Sequence, residues 1–472
     1  MKAAIVGGGW AGLSTAVELA KAGVGVTVFE AAKQLGGRAR SVDLHGHRLD
    51  NGQHLLVGAY CETLRLMREV GADPERLLKR LPLELRFPAS QPRPFRMRLP
   101  RLPAPWHLAV GLLSARGSSL AEKVGAVRFL RFLQDADYRL GDDCTVSALL
   151  DGHGQRGSLR RHLWEPLCLA ALNTAPAMAS AQIFVNTLRD SLGGGRAATD
   201  LLLPAADLDR LFPEAAAHFI RARGGEIRLS TRVAAIDDGF TVCGEHYDHA
   251  VVAVGPQHAP ALLGGHAQTR GIAQLLSGYA FEPIATLYCG YPPQVCLPFP
   301  MLGLDDRPAG RIGQWVFDRG ALCGTAGVMA FVLSGHGAWE TLDNAALANA
   351  LQRELADTLR TRLPPALWYQ VIRERRATFS CRPDLRRPAA ATARNGLWLA
   401  GDYVCRVSGN ARSRGAQRRR RGTRAAAQRT SSNCPACIRR RREQRAAISS
   451  SWVTRISVVP RSALIANINS MT

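Results

Sequence analysis

The first thirty residues admit few folds. The apolar run Ala3-Ala4-Ile5-Val6 leads straight into a G-x-G-x-x-G turn at Gly7, Gly9 and Gly12. A helical pattern follows, with Leu13, Ala16, Val17, Leu19 and Ala20 on its apolar face. Gly23 stands where a helix C-cap belongs, and a second β-rich run, Val26 to Phe29, ends in Glu30. Strand, glycine turn, helix, strand and terminal acid in this order predict a βαβ unit that binds a dinucleotide. Gly7 permits the tight turn, Gly9 lets the backbone approach a pyrophosphate, and Gly12 lets the helix pack closely on the strand. The N–H groups and dipole at the helix start then face the phosphates. Glu30 is placed to accept hydrogen bonds from a ribose diol; an Arg there would have suited a 2′-phosphate, so NADP is not expected.

The residues after Glu30 separate NAD from FAD. Gly36, Gly37 and Arg38 follow closely and would set backbone N–H groups and a guanidinium near phosphate oxygens. This run resembles the G-G-R segment of the FAD-dependent amine oxidase and carotenoid desaturase superfamily. Two distant strand-like segments, IRLSTRVAAI (227–236) and YDHAVVAVG (247–255), are similar to the pair that returns the chain to the nucleotide domain there. The resemblance implies that the backbone near Val233 contacts adenine. GLWLAGD (396–402) resembles the second flavin motif, which implies that Gly401 and Asp402 meet the ribityl or pyrophosphate region. The fold class expected is α/β: a discontinuous Rossmann-type FAD-binding domain with an inserted mixed α+β substrate domain.

A chain of 472 residues has room for two or three domains. The expected division gives residues 1–71, 215–255 and 385–403 to the FAD-binding domain and residues 72–214 and 256–384 to the substrate domain. In the first insert, AEKVGAVRFLRFL (121–133) carries apolar residues near helical spacing, and RHLWEPLCLAALN (161–173) reads as another buried segment. The second insert holds strand-like runs at Ala285–Cys289 and Gly327–Val332. Asp50-Asn51-Gly52-Gln53-His54 should bring the chain back toward the isoalloxazine, which makes Asp50 and His54 the polar candidates for catalysis. No Ser-His-Asp set, zinc ligand set or Walker A motif is recognisable.

No run of about 18 apolar residues occurs, so a spanning helix is not expected. The first residues lack a signal peptide's separate basic region and cleavage site. Eleven cysteines, odd in number and irregular in spacing, argue against a disulfide framework. Cys434-Pro435-Ala436-Cys437 has no second ligand pair, so no metal site is expected. A cytoplasmic protein follows, peripheral at most to the inner face of a membrane. LPAPWHLAVGLL (102–113), with Trp106, is too short to cross a bilayer but suited to dipping into one; a buried core helix is the competing reading.

The net charge of +23 is uneven: residues 404–472 hold 16 Arg, no Lys and one acid, a net of +15, leaving +8 for the other 403 residues. A basic arm for nucleic acid or acidic lipid is one reading of this segment, and disorder is another. A third fits the residues better. Codons for Arg406 to Arg421 can be chosen so that a reading one nucleotide later gives GYPATLEAAVHSGVVA, which resembles the closing helix of the flavoprotein superfamily. A frame-shifted, disordered tail is therefore expected, with no specific nucleic-acid partner.

LDNGQHLLVGAY, WEPLCLAALNT, ERRATF followed by RPDLRRP, and LWLAGDY together resemble the squalene-associated FAD-dependent desaturases, whose members include hydroxysqualene dehydroxylases. The resemblance covers residues 1 to about 403. It implies reductive removal of an allylic hydroxyl from a long polyprene, with reduced FAD as hydride source and His54 or Asp50 as proton source or relay. Two alternatives stay open. One is a carotenoid-type desaturase or an amine oxidase; the other is a nucleic-acid or membrane-binding protein acting through the basic tail.

Overall fold

The structure, a computed structural model, describes residues 1–304 and 310–405. The Arg-rich segment and its proposed change of frame lie outside the described residues.

Five parallel strands form the nucleotide-binding sheet, in the order Glu226–Arg228, Gly25–Phe29, Lys2–Val6, His249–Val252, Leu397–Leu399. Pairing brings Arg228, Phe29, Val6, Val252 and Leu399 level at one edge. Every turn expected to touch the nucleotide leaves the sheet from that edge, beside the central strand where the winding reverses direction. This is where open α/β sheets bind ligands. Helix Trp10–Lys21 follows the first strand. It is buried nearly all round because the sheet covers one side and helix Pro213–Arg221 packs on another. Leu13, Val17 and Ile5 share this core with Leu208, Leu211 and Ala216.

The expected strand 227–236 is shorter. Only Glu226–Arg228 pairs, because its neighbour ends at Phe29. Beyond that point Ser230 takes a positive φ of 51° and its N–H bonds Ala32 O, while Thr231 N–H bonds Glu30 O. The chain thus folds over the acidic end of the second strand instead of extending the sheet.

The inserts supply a second, antiparallel sheet and a set of helices. Its strands run Met301–Gly303, Trp315–Asp318, Val328–Ser334, Phe281–Gly290, Trp368–Phe379. The two strands expected in this region are both present: Phe281–Gly290 is twice the length of its sequence pattern, and Val328–Ser334 begins one residue later and ends two residues later than its own. The helix expected at 121–133 spans Leu120–Asp135. A capping box between Ser119 and Glu122 starts it, and Ala126, Phe129, Leu130 and Leu133 face the core. The 161–173 segment is a π-turn, Arg160–Trp164, continued by helix Glu165–Leu172. Asn173 ends that helix in the left-handed region with φ 48°, a conformation Asn tolerates. Its buried amide then donates to Pro283 O and Thr378 Oγ1 and accepts from Gly335 N–H, fixing the helical layer to the second sheet. No helix among the described residues is long and apolar enough to cross a membrane.

Candidate flavin-binding and active site

The three fingerprint glycines are required for different reasons. Gly7 has φ +115°, and a Cβ there would sit 2.8 Å from Ala253 O. A Cβ on Gly12 would fall 1.9 Å from Gly7 O, so the helix can seat on the turn only without a side chain. Gly9 is different: it is extended (φ −75°, ψ 177°), and a Cβ would meet only Gly37 Cα at 3.9 Å. The protein's own packing leaves that space open. A glycine there suits a pyrophosphate laid against the backbone at the start of the helix.

Glu30 stands at the end of the second strand, one oxygen accepting from Gly8 N–H at 2.7 Å and the other from Ala32 N–H at 2.8 Å. The carboxylate is thereby fixed at the sheet edge. Gly36 (φ +100°) and Gly37 (φ +61°) turn the next loop back over the fingerprint, with Gly36 N–H donating to Gly8 O. Val233 is half-buried on the segment that follows the short edge strand.

Arg38 reaches across the fold: Nη1 donates to Ala377 O and Nη2 to Asp402 Oδ2, each at 2.9 Å, while the side chain also lines the cavity described below. The physical reason is Asp402, a carboxylate only 6% exposed, which needs a counter-charge. Arg38 thus couples the first flavin loop to the last sheet strand and to strand Trp368–Phe379. The other Asp402 oxygen, Oδ1, is buried without a partner among the described residues. An acceptor left this way is costly, and a hydroxyl of a ribityl chain would satisfy it. The open space at Gly9, the fixed Glu30 carboxylate and this orphaned oxygen together fit FAD. Arg387, which no sequence motif marked, donates to the carbonyls of Asp402, Tyr403 and Val404 and shapes the same turn.

The two catalytic candidates part company. Asp50 is fully buried. Its Oδ1 accepts from Leu208 N–H (3.0 Å) and Ser41 Oγ, and its Oδ2 pairs with Arg319 Nη1 (3.1 Å). Burial pushes the carboxyl upward, while the guanidinium and the Leu208 N–H hold it back. Asp50 does not line the cavity described below; its contacts hold the loop on which His54 sits. Its carbonyl also accepts from the buried Tyr288 hydroxyl.

His54 does line the cavity. Its Nδ1 lies 2.7 Å from Gly52 O, which assigns the proton to Nδ1 and makes Nε2 an acceptor. Burial, with a smaller contribution from the Arg38 charge, lowers its pKa to about 4. The ring is therefore neutral near pH 7. Its exposure is to the cavity, and that low-dielectric wall explains how a partly accessible ring is so strongly desolvated.

The cavity itself measures about 1700 Å³, its mouth included. Its lining includes Arg38, Gly52, His54 and Ala377 together with residues of the helical layer and of the second sheet. The lining is mainly apolar, with Leu83, Leu85, Leu167, Leu188, Met301 and Phe317 among it. The cavity suits an isoalloxazine edge together with an extended hydrocarbon.

Comparison with known proteins agrees with this geometry. The family described as flavin containing amine oxidoreductase matches residues 10–428. A hydroxysqualene dehydroxylase of Sinorhizobium fredii is 27% identical over 420 residues, covering 85% of this chain and 92% of that protein. One of Zymomonas mobilis is 25% identical over 409 residues with the same coverage. Among solved structures, an oxidoreductase of Methanosarcina mazei superposes with a TM-score of 0.64 at 14% identity, covering 86% of this chain and 95% of that one; this likeness concerns the fold alone. With the fingerprint, the second flavin turn and the family match in agreement, the chain belongs to the flavin-containing amine oxidoreductases and is an FAD-dependent oxidoreductase.

Proposed function

We propose that the enzyme removes the allylic hydroxyl of hydroxysqualene reductively to give squalene. The single observation that carries this reading is the mainly apolar cavity lined in part by His54 and the loop that holds it. Similarity to two hydroxysqualene dehydroxylases over nearly their whole length supports it. In the balanced reaction the C–O bond breaks, a C–H bond forms, and the leaving oxygen departs as water after taking up a proton. Reduced FAD, when bound, supplies the hydride. The protein supplies orientation and a dry pocket, with apolar walls that hold a polyprene by burial at ~25 cal/mol per Å². His54 would accept a hydrogen bond from the substrate hydroxyl at Nε2 and so orient the C–O bond; the proton that the leaving oxygen takes up would be the second hydrogen of the reduced FAD, delivered through solvent. Asp50 acts at one remove, by fixing the loop on which His54 sits.

The amine oxidase alternative needs an aromatic cage for the amine beside the flavin. Only 6% of this chain is aromatic, which disfavours that alternative. The reading places the enzyme in the cytoplasm, where its nine described cysteines are all free. Anaerobic incubation of the photoreduced holoenzyme with hydroxysqualene tests the proposal. Squalene should appear in step with flavin reoxidation; reoxidation only on admission of air, with no squalene, would overturn it.

A further inference from the structure

The exposed large apolar residues are not scattered. Of thirteen among the described residues, eight fall between Leu102 and Phe132. Single exposed leucines mean little, but a concentration of this kind marks an interaction surface. Two helices carry it. On Trp106–Leu113 the exposed residues are Trp106, Val110 and Leu113, at spacing i, i+4, i+7. On Leu120–Asp135 they are Leu120, Val124 and Val127, at the same spacing. Each helix therefore has two apolar faces, one in the core and one in solvent, where an ordinary surface helix has one. Trp106 is 64% exposed and Leu120 71%. The helices pack on each other, and Lys123 Nζ donates to Leu113 O.

Charge identifies the occupant. Residues 101–131 hold Arg101, Arg116, Lys123, Arg128 and Arg131 against a single acid, Glu122. Glu122 is turned inward, accepting from Leu159 N–H and closing the capping box. The four arginines are exposed and pair with no carboxylate among the described residues. Arg131 falls in line with the Leu120–Val124–Val127 stripe. Apolar side chains ringed by unpaired cations match the headgroup and upper acyl layer of an anionic bilayer. The surface also adjoins the cavity: His107, the buried second residue of the shorter helix, lies within electrostatic reach of Arg196 and Asp200. Thr199 and Leu201 of that neighbouring segment line the cavity.

We propose that the paired helices 106–113 and 120–135 form a docking surface for an anionic lipid bilayer, inserting Trp106, Leu113 and Leu120 into the interface. This proposal stands apart from the chemistry assigned to the cavity. The test uses the full chain with vesicles of phosphatidylcholine alone or mixed with phosphatidylglycerol. The mixed vesicles should bind more protein, and the Trp106→Ser/Leu113→Ser/Leu120→Ser variant should lose at least ~10-fold in partition coefficient, three interfacial anchors having been removed. Because the Arg-rich C-terminal segment also attracts anionic lipid, a second readout is needed. Brominated acyl chains should quench tryptophan emission of the wild type, and Trp106→Phe should bind equally while losing that component. Equal binding by the triple variant, or quenching unchanged in Trp106→Phe, would overturn the proposal. So would a concentration-dependent dimer abolished by the triple variant together with no vesicle binding by the wild type, which would assign the surface to a second copy of the chain.

Discussion

Arg319 Nη1 lies 3.1 Å from Asp50 Oδ2, and both side chains are shut off from solvent. The same nitrogen donates to Gln53 Oε1, and Gln53 Nε2 donates to His54 O. A residue from the second insert thus fixes the loop that carries the cavity's histidine. Removing one partner of a buried pair leaves an uncompensated charge and costs ~3–5 kcal/mol, whereas replacing both with apolar groups can be nearly neutral. Arg319→Met should therefore lower the thermal midpoint markedly, and Asp50→Leu/Arg319→Met should recover much of that loss. The recovered double variant should still turn over slowly, because Gln53 has lost its donor. Full activity in the double variant would show that the pair has no part in positioning the loop.

Gly9 and Gly12 separate cofactor binding from folding. Valine at Gly12 has no room, given the 1.9 Å approach to Gly7 O, and should give little folded protein. At Gly9 the Cβ of a valine would meet nothing closer than Gly37 Cα at 3.9 Å. This variant should yield folded protein with near-native far-UV circular dichroism and no visible flavin absorbance. A yellow Gly9→Val protein would mean that the pyrophosphate does not lie against this turn.

These two pairs also show what a sequence can disclose. Gly9, Gly12 and Glu30 belong to one contiguous βαβ unit whose local pattern and chemistry coincide, and they were legible without any structure. The strands at 281–290 and 328–334 followed from β-rich apolar runs for the same reason. Arg319 was not legible: nothing near Phe317-Asp318-Arg319 announces a partner 269 residues away. The burial of Asp50 was not legible either, because a lone acid in a loop carries no mark of it. That Arg38 also holds Ala377 O and Asp402 was not legible, because these acceptors arrive from the far end of the chain. Short motifs report local backbone demands; charge pairing across insert boundaries requires the fold.

The Arg38–Asp402 contact should control cofactor retention more than stability. Arg38 is about a third exposed, and screening reduces what such a pair adds to folding. Asp402→Ala removes both the partner of Arg38 and the unpartnered acceptor Oδ1. We expect Asp402→Ala to lower FAD occupancy strongly and Arg38→Met to lower it less, with thermal midpoints of the FAD-free proteins little changed for Arg38→Met. Occupancy is read from the ratio of visible to ultraviolet absorbance after gel filtration. Native occupancy in Asp402→Ala would sink the assignment of Oδ1 to a flavin hydroxyl.

His54 gives a pH dependence of definite sign. Its folded pKa is lowered from 6.5 to about 4, so between these values the unfolded chain binds the proton and the folded chain does not. The contribution to stability is present above about 6.5 and is lost as pH falls toward 4. The FAD-free wild type should therefore lose stability faster than His54→Gln over that window, with the two curves parallel above it. Denaturant melts at several pH values measure the difference. Parallel curves throughout would mean that His54 is already solvated in the folded protein.

The last prediction concerns the turn after Asp402, where the described chain ends at Cys405. Arg387 has gathered the carbonyls of Asp402, Tyr403 and Val404, and Asp402 Oδ1 still has no partner among the described residues. A helix beginning just beyond such a turn would direct its N–H groups toward a flavin. The sequence GYPATLEAAVHSGVVA, readable from Arg406–Arg421 one nucleotide later, has the small and apolar residues of such a helix. Four arginines in a row, Arg418 to Arg421, do not. We therefore expect a chain carrying that sequence in place of residues 406–421 to retain more FAD through gel filtration than the chain as given. Resequencing the gene supplies an independent check, since a frame unbroken through these codons would end the idea. Equal FAD content in the two proteins would mean that the first loop, Glu30 and Asp402 hold the cofactor without help from the segment beyond Cys405.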